Sequence, residues 1–243
     1  MKLGILALVV GLLGVLDLAA AHAQPNAVSE IVVTAERRAG GLQMLAGGEA
    51  PHVALVKRAD NLIVAVRVVC DTRDLNQRRD ELKQTLANMI RTAADDPRIE
   101  LGLGTSVIGR FDATMFDAVI QPDDEKVDTS FAIVVVKTHV TADDTFDSAT
   151  GRIKAFIDKT PKVGRTEILR DDAWNLTIIG PEQYRGAIIA KVADDARATA
   201  SVFGTGYGVS VSGLEKPVDW RQSGPLDLAL FIPYQLVVQP LGR

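Results

Sequence analysis

The chain has 243 residues, of which 47% are hydrophobic and 24% are charged, with 27 Lys and Arg against 31 Asp and Glu. A formal net charge of −4 offers no basic face to a polyanion, so nucleic acid is excluded as an expected partner. The length allows one large domain or two small ones, with a core that needs no covalent links.

Residues 1–23 are predicted to be a secretory signal peptide. A short basic start at Met1-Lys2 precedes an apolar run over residues 3–16, and residues 21–23 (Ala-His-Ala) place small side chains where signal peptidase reads them. The apolar run is too short to anchor the chain in a bilayer. We therefore expect a mature protein that begins at Gln24, has no transmembrane segment, and resides in the periplasm, either dissolved or associated with the outer membrane.

Residues 24–52 show no sustained periodicity and contain two Gly-Gly pairs, which is typical of a flexible lead-in. One piece of this segment differs from the rest. Residues 30–38 read Glu-Ile-Val-Val-Thr-Ala-Glu-Arg-Arg, a β-prone sequence.

A folded domain is expected over residues 53–240, and it opens with a strand and a helix. The β-branched run over residues 61–70 predicts a largely buried strand, which ends at Cys70, the one cysteine of the chain. Apolar residues then recur at helical spacing to Ala93, with Thr72 or Asp74 as the cap, and Pro97 stops the helix. Cys70 is interpreted as a small buried side chain rather than a redox group.

The rest of the domain is predicted to contain strands and helices in succession. Residues 106–125 fit neither period. The predicted elements are strands over 99–105 and 127–140, a helix over 143–158, strands over 163–169 and 173–179, an Ala-rich helix that Gly180-Pro181 opens and Gly204 closes, and a strand over 207–214.

The closing segment has the clearest period of two in the chain. It predicts one strand with seven apolar side chains on one face, namely Leu226, Leu228, Leu230, Ile232, Tyr234, Leu236 and Val238. Pro233 removes one hydrogen-bond donor and requires an edge, a bend or a bulge. Paired strands interrupt strict alternation with helices, so we expect an α+β fold of mixed or antiparallel sheets packed by about three helices.

No catalytic, cofactor-binding or metal-binding constellation emerges from the sequence. The mature chain keeps only His52 and His139, which lie far apart in sequence. The paired aspartates fall mostly at turns and helix ends, where carboxylates cap amides. The glycine clusters do not lead into helices as a phosphate cradle requires. We therefore expect a protein that is not an enzyme and carries no cofactor.

Residues 30–38 resemble the TonB box of outer-membrane TonB-dependent receptors. An extended β-prone peptide can add a strand to the sheet edge of a partner. The chain is too short for the plug and large barrel of such a receptor. Two interpretations stay open: a docking peptide for a TonB-like periplasmic protein, or a β-prone linker that matches by chance. The residues that would dock are Glu30, Ile31, Val32, Val33, Thr34 and Ala35.

Residues 53–238 resemble the SIMPL-domain family of exported bacterial proteins. The features that carry this resemblance are residues 59–62 (Ala-Asp-Asn-Leu) with their strand, an Arg-rich helix, the strand 131–136, the Ala-rich helix 185–202, the strand 209–211 and the closing residues 230–234 (Leu-Phe-Ile-Pro-Tyr). The stretch 106–125 departs from the family pattern. Membership implies a periplasmic or outer-membrane-associated α+β protein, often oligomeric and sometimes linked to stress tolerance, and it supplies no active site.

Two functions follow as hypotheses. The first is a non-enzymatic SIMPL-like protein that acts in envelope homeostasis or stress tolerance through binding or self-assembly. The closing strand and the Ala-rich helix are its candidate contacts as a homo-oligomer, and the strand would contribute Leu230, Ile232, Tyr234 and Leu236. The second is a TonB-coupled accessory or signalling module that docks its partner through residues 30–38.

Overall fold

The computed structural model of the protein describes residues 29–33 and 53–241. The strands are, in chain order, β1 (Glu30–Val33), β2 (Leu55–Arg58), β3 (Asn61–Cys70), β4 (Ile99–Leu103), β5 (Gly109–Arg110), β6 (Gln121–Pro122), β7 (Ser130–His139), β8 (Thr166–Ile179), β9 (Tyr207–Ser212), β10 (Asp219–Gln222), β11 (Asp227–Phe231) and β12 (Gln235–Pro240). The helices are α1 (Leu75–Ala94), α2 (Phe116–Val119), α3 (Phe146–Lys159) and α4 (Arg185–Phe203). Short 3-10 turns at Ala113–Met115 and Pro181–Tyr184 lead into α2 and α4.

A seven-stranded antiparallel sheet forms the centre of the fold. Its order is β1-β8-β3-β7-β4-β5, and β6 pairs with β7 beside this path. On its other side β1 meets Val107 in an isolated bridge, so the sheet curves round until it is nearly closed as a barrel. Two smaller antiparallel sheets complete the molecule, one with the order β10-β11-β2 and one made of β12 and β9.

The long strands and helices form where the apolar positions of the sequence match the buried face and capping residues mark the helix starts. Strand β3 is apolar on alternate positions that face the helices, and it pairs with β7 over its whole length. Helix α1 begins at the Asp74 cap, whose carboxylate accepts a hydrogen bond from the Gln77 amide at 2.8 Å. Helix α3 begins with a capping box in which Thr145 and Ser148 bond each other's amides.

Two apolar clusters cover the helix-facing side of the central sheet. The first lies under α1 and α3 and includes Val64, Leu82 and Ile153, none of which has exposed surface. The second lies under α4 and the three-stranded sheet, and it includes Ile188 and Leu228. The half-buried Trp174 packs against both clusters. Trp174 thus connects the two clusters along this face.

The α+β prediction, with antiparallel sheets and three long helices, is confirmed. The predicted strand over 61–70 and the helix that follows it agree with β3 and α1. The prediction of separate strands over 163–169 and 173–179 is wrong, because β8 is continuous over this range. A bulge near Val64 and Val66 lets β8 carry extra residues opposite β3, and this polar stretch resembled a turn in the sequence.

The prediction of a single closing strand over 226–238 is also wrong. The chain bends at residues 232–234, which include Pro233, and this break separates β11 from β12. The two halves belong to different sheets, because β11 pairs with β2 and β10 whereas β12 pairs with β9. Pro233 predicts a bend or an edge, but the change of sheet depends on strand partners that are distant in sequence.

No helix in the described ranges 29–33 and 53–241 combines the length and apolar character that a bilayer crossing requires. Residues 1–23, the predicted signal peptide, lie outside these ranges.

Candidate functional site: the sheet face that the N-terminal strand closes

The N-terminal strand β1 is held in the central sheet from both sides. On one side it runs antiparallel to β8, with Glu30 opposite Ile179. On the other side the Val32 amide donates to the Ser106 carbonyl at 3.0 Å, and the Ile108 amide donates to the Glu30 carbonyl at 3.1 Å. This strand therefore fills a slot between β8 and residues 106–108, and it closes one end of the sheet face that points away from the helices.

The carboxylate of Glu30 is the polar centre of this closed end. Glu30 Oε1 accepts hydrogen bonds from Asn61 Nδ2 and Thr177 Oγ1, both at 2.6 Å. Glu30 Oε2 accepts from Lys137 Nζ at 2.7 Å, and Lys137 also pairs with the exposed Glu100 at 2.8 Å. Burial opposes the charge on Lys137, yet its hydrogen bonds to the two glutamates outweigh burial and raise its pKa. Charged hydrogen bonds of this kind fix the position of the strand that carries Glu30.

A small apolar cluster lies next to the Glu30 carboxylate group on the same face. It consists of the buried side chains Ile63, Ile108 and Val135, with Val32 of β1 packed against them. Strand β1 thus contributes both a buried charge and an apolar contact to the closed end. Its position depends on side chains as well as on the backbone ladder.

Beyond this cluster the same face is an open groove of about 960 Å³. Along its floor Arg67 of β3 lies opposite Leu169 of β8, which is about half exposed, and Val69 and Phe131 also line the groove. The Arg67 guanidinium stacks on the Phe131 ring at 3.5 Å and pairs with Asp123 Oδ2 at 2.7 Å. The floor therefore combines apolar side chains with one central cation, Arg67, which is already paired with Asp123.

The rim of the groove is acidic. Its lining includes five carboxylates, Asp71, Asp123, Asp124, Glu125 and Glu167, against three cations, Arg67, Lys126 and Arg165. Two of the cations are already committed to carboxylates. Arg67 pairs with Asp123, and Arg165 holds Asp71 with two bonds of 2.6 and 2.7 Å, which lower the pKa of that carboxyl group. A surplus of negative charge remains on the rim.

Next to the groove, a buried carboxylate joins α1 to the start of β8. Glu81 Oε2 accepts hydrogen bonds from the Thr72 hydroxyl at 2.6 Å, the Arg165 amide at 3.1 Å and the Cys70 thiol at 3.2 Å. Gln77 Nε2 donates to the other oxygen at 2.8 Å. The Thr72 bond is the largest cause that lowers the pKa of Glu81 to about 2, with burial acting in the opposite direction. Cys70 is buried, as the sequence predicted.

A second candidate site lies at the other end of the molecule, in a unit that we name the terminal module and define as α4, β9 and β12. Residues 193–217 and 233–241 include no buried residue. Strands β9 and β12 pair only with each other among the described residues, so each has an open outer edge. The exposed apolar side chains of the module are Val202, Phe203, Tyr207 and Val237, and Leu241 follows directly after β12.

The structure describes four of the six predicted docking residues. Glu30, Ile31 and Val32 lie in the sheet, and Val33 is opposite Leu176. Thr34 and Ala35, with the rest of residues 34–52, lie outside the described residues. Docking of a TonB-like partner on this segment stays a prediction, and residues 30–33 would have to leave both neighbours before they could pair with another sheet.

The predicted self-assembly residues do not form one surface. Leu230 and Ile232 have no exposed surface and belong to the core cluster under α4. Tyr234 and Leu236 are half-buried, beside and within β12, and the Tyr234 hydroxyl lies 3.5 Å from Asp195 Oδ2. The bend around Pro233 separates the two pairs. Leu230 and Ile232 are therefore not accessible to a second copy, whereas part of Tyr234 and Leu236 is.

The two histidines weighed as metal ligands are not brought together. His139 is exposed at the end of β7, where its carbonyl accepts a hydrogen bond from Arg152 Nη2 at 3.2 Å. His52 lies outside the described residues. Within ranges 29–33 and 53–241, no three His, Cys, Asp or Glu side chains are grouped as metal ligands.

The sequence interpretation missed the residues that meet at the closed end. Asn61, Lys137 and Thr177 each interrupt or border an apolar strand, and a polar residue in such a strand is the signal that could have identified them. Their convergence on Glu30 could not be read from the sequence, because the segments involved are far apart along the chain.

Comparisons with protein-family models, curated proteins and solved structures find no match for this chain. The functional conclusions below therefore depend on the geometry of the two sites and on the sequence features that carry the resemblances.

Proposed function

We propose that this chain is a non-enzymatic, exported SIMPL-like protein that acts by self-assembly in the periplasm. Residues 1–23 would direct its export. The SIMPL part of the proposal rests on the sequence pattern over residues 53–238. The assembly proposal depends on the terminal module. The module exposes apolar side chains and two strand edges, and residues 193–217 and 233–241 include no buried residue.

Three of the exposed apolar side chains are grouped at one end of the β9–β12 pair, namely Phe203, Tyr207 and Leu241. The Phe203 and Tyr207 rings lie 6.0 Å apart. The Leu241 amide donates to the Gly206 carbonyl at 2.8 Å, which brings the end of the chain to the same place. Aromatic residues at the centre of such a patch are typical contributors to association energy.

The two faces of the β9–β12 pair differ in a way that suits assembly. Val209 and Val211 are half-buried, and α4 contacts both strands. On the opposite face Ser210 lies across from Val237, and both are exposed. The pair is therefore covered on one side only, and a second copy could extend the strands or cover the open face.

Sedimentation velocity of the chain from Gln24 over a range of concentrations tests the proposal. We expect concentration-dependent association, and we expect Phe203→Ser to weaken it by about tenfold because a buried aromatic contact contributes about 1.4 kcal/mol or more. A chain that stays monomeric at the highest concentration would contradict self-assembly.

A matched pair of variants shows whether the contact lies in the module. Val202 and Val127 are similarly exposed, at 82% and 91%, but only Val202 belongs to the module. Val202→Ser should weaken association by about threefold, whereas Val127→Ser should leave it unchanged. Equal effects of the two substitutions would place the contact elsewhere.

A further inference from the structure

The outer edge of β8 offers a place for another strand. Its last residues, Leu176–Ile179, pair with β1, but Glu167–Leu169 have a strand partner only on the β3 side among the described residues. Unpaired amides and carbonyls along such an edge are a template for strand addition. Strand β1 already uses this mode on the same edge, so the geometry of the added strand is established a few residues away.

The open part of the edge borders the groove described above. Leu169 and Glu167 project from β8 on the groove side, opposite Arg67 and Val69 of β3. A strand added along β8 would therefore place every second side chain over the part of the floor formed by Val69 and Leu169. Apolar side chains at these positions would cover surface that is now exposed to water.

The charges on the rim indicate which peptide would fit. Asp124, Glu125 and Glu167 have no cationic side chain paired with them in the described residues, whereas Arg67 and Arg165 are each bound to an aspartate. A peptide that carries Lys or Arg would neutralise these carboxylates, and an acidic peptide would be repelled by them. This distinguishes the groove from a general apolar surface.

We propose that the groove binds an extended peptide of a partner protein by strand addition to the outer edge of β8. The groove-facing residues of this peptide, which are every second residue, include both apolar and cationic side chains. The site lies on the central sheet, away from the terminal module, so it is a function separate from self-assembly. The backbone of β8 provides the ladder, the floor around Leu169 accepts the apolar side chains, and the rim around Glu167 selects positive charge.

The test uses a fluorescent peptide about six residues long, as in an ordinary strand. Every second residue is Val or Lys in turn, so that both reach the groove, and Thr fills the other positions. The anisotropy of this peptide is measured with the full chain from Gln24. Two control peptides carry Glu in place of Lys, or a central Pro that removes a ladder donor. We expect saturable binding of the Lys peptide and at least about tenfold weaker binding of both controls, because one loses charge complementarity and the other loses the ladder.

Variants of the protein locate the site. Glu167→Gln combined with Asp124→Asn should weaken binding of the Lys peptide by about fivefold, in the range for exposed charge pairs, and Leu169→Ser by about threefold. The matched controls are Glu215→Gln and Val56→Ser, which remove an exposed charge and an exposed apolar side chain outside the groove lining. These should leave binding unchanged, as should Phe203→Ser in the terminal module.

Several results would overturn the proposal: no saturable binding of the Lys peptide, equal binding of the Glu peptide, or equal effects of the groove and control variants. A groove already occupied by a second copy or by other residues of the chain would give the first of these results. Amide chemical shifts that change at Glu167–Leu169 on peptide addition, without matching changes in β12, would support strand addition at β8.

Discussion

The central sheet and the terminal module are built from similar strands, yet they bury their side chains very differently. Val64, Val66 and Val68 of β3 have no exposed surface, because they pack in the cluster under α1 and α3. In the module, residues 193–217 include no buried residue. The same alternating pattern thus builds a core in one place and an exposed surface in the other, depending on what covers it.

This difference assigns separate roles to the two regions. The central sheet supplies most of the stability, since apolar burial is the largest favourable contribution to folding. The module contributes Ile188 and Val192 of α4 to the core, whereas its residues 193–203 and its two strands include no buried residue. The exposed apolar side chains of this outer part are available to a second copy. The groove lies on the central sheet, and the proposed peptide would pair with the outer edge of β8.

The largest contrast should appear when the same substitution is made in both regions. Leu82→Ala in α1 removes a side chain with no exposed surface, and we expect the free energy of unfolding to fall by about 3 kcal/mol. Leu236→Ala in β12 removes a half-buried side chain, and we expect a loss of about 1 kcal/mol or less. Urea unfolding of the monomer measures both losses. Equal losses would contradict the claim that the central sheet contributes more to stability than the terminal module.

The next effect concerns the closed end of the sheet. Glu30→Ala leaves Asn61, Thr177 and Lys137 without their shared acceptor, so we expect a loss of about 2–3 kcal/mol in unfolding free energy. Glu100→Ala is the matched control, because it removes the exposed partner of the same lysine and should cost about 0.5 kcal/mol. If Glu30→Ala were as mild as the control, β1 would not be held by its side chain.

A smaller effect should depend on pH. The pKa of Glu81 is lowered from 4.5 to about 2 in the folded chain, so the unfolded chain binds this proton more readily. The contribution of Glu81 is therefore complete above pH 4.5 and is lost as the pH falls toward 2. Glu81→Gln should destabilise the protein by about 2 kcal/mol at pH 7 and reduce the loss of stability in acid. If stability fell with pH in this variant as it does in the unmodified chain, the lowered pKa of Glu81 would not be a cause of that fall.

A backbone substitution checks the same network independently. Gly164 has a φ of +59°, and a Cβ at this position would lie 2.1 Å from the Glu81 carboxyl carbon. Gly164→Ala should therefore destabilise the protein by about 2 kcal/mol, through both the left-handed backbone and the displaced carboxylate. Unfolding measurements on Gly164→Ala in the Glu81→Gln background would show coupling between the two positions if the carboxylate is displaced.

The sequence correctly predicted the elements in which the repeat of apolar residues coincides with the buried positions. Strand β3 and helix α1 belong to this group, because their apolar positions repeat over many residues and Asp74 and Pro97 mark the limits. Strand β8 was divided in two because its polar middle, Asp171-Asp172, resembles a turn, whereas pairing with β3 holds it extended around the bulge.

The candidate sites were harder to predict because each depends on distant residues. The docking segment was identified as β-prone, but its own sheet provides the slot, and the side chains that bind Glu30 come from three other strands. Leu230 and Leu236 have the same place in the period-two pattern, yet the bend around Pro233 puts one in the core and the other in the module. Periodicity gives the face of a strand but not what covers it.

Native-state hydrogen exchange at two protein concentrations tests the division between the regions most directly. Amides of β3 and β7 should exchange only through global unfolding at both concentrations. Amides of β9, β12 and the second half of α4 should exchange through local opening in dilute protein and become protected at high concentration, because association stabilises the module. Protection of β9 and β12 that equals that of β3 at every concentration would contradict a module that is completed by a second copy.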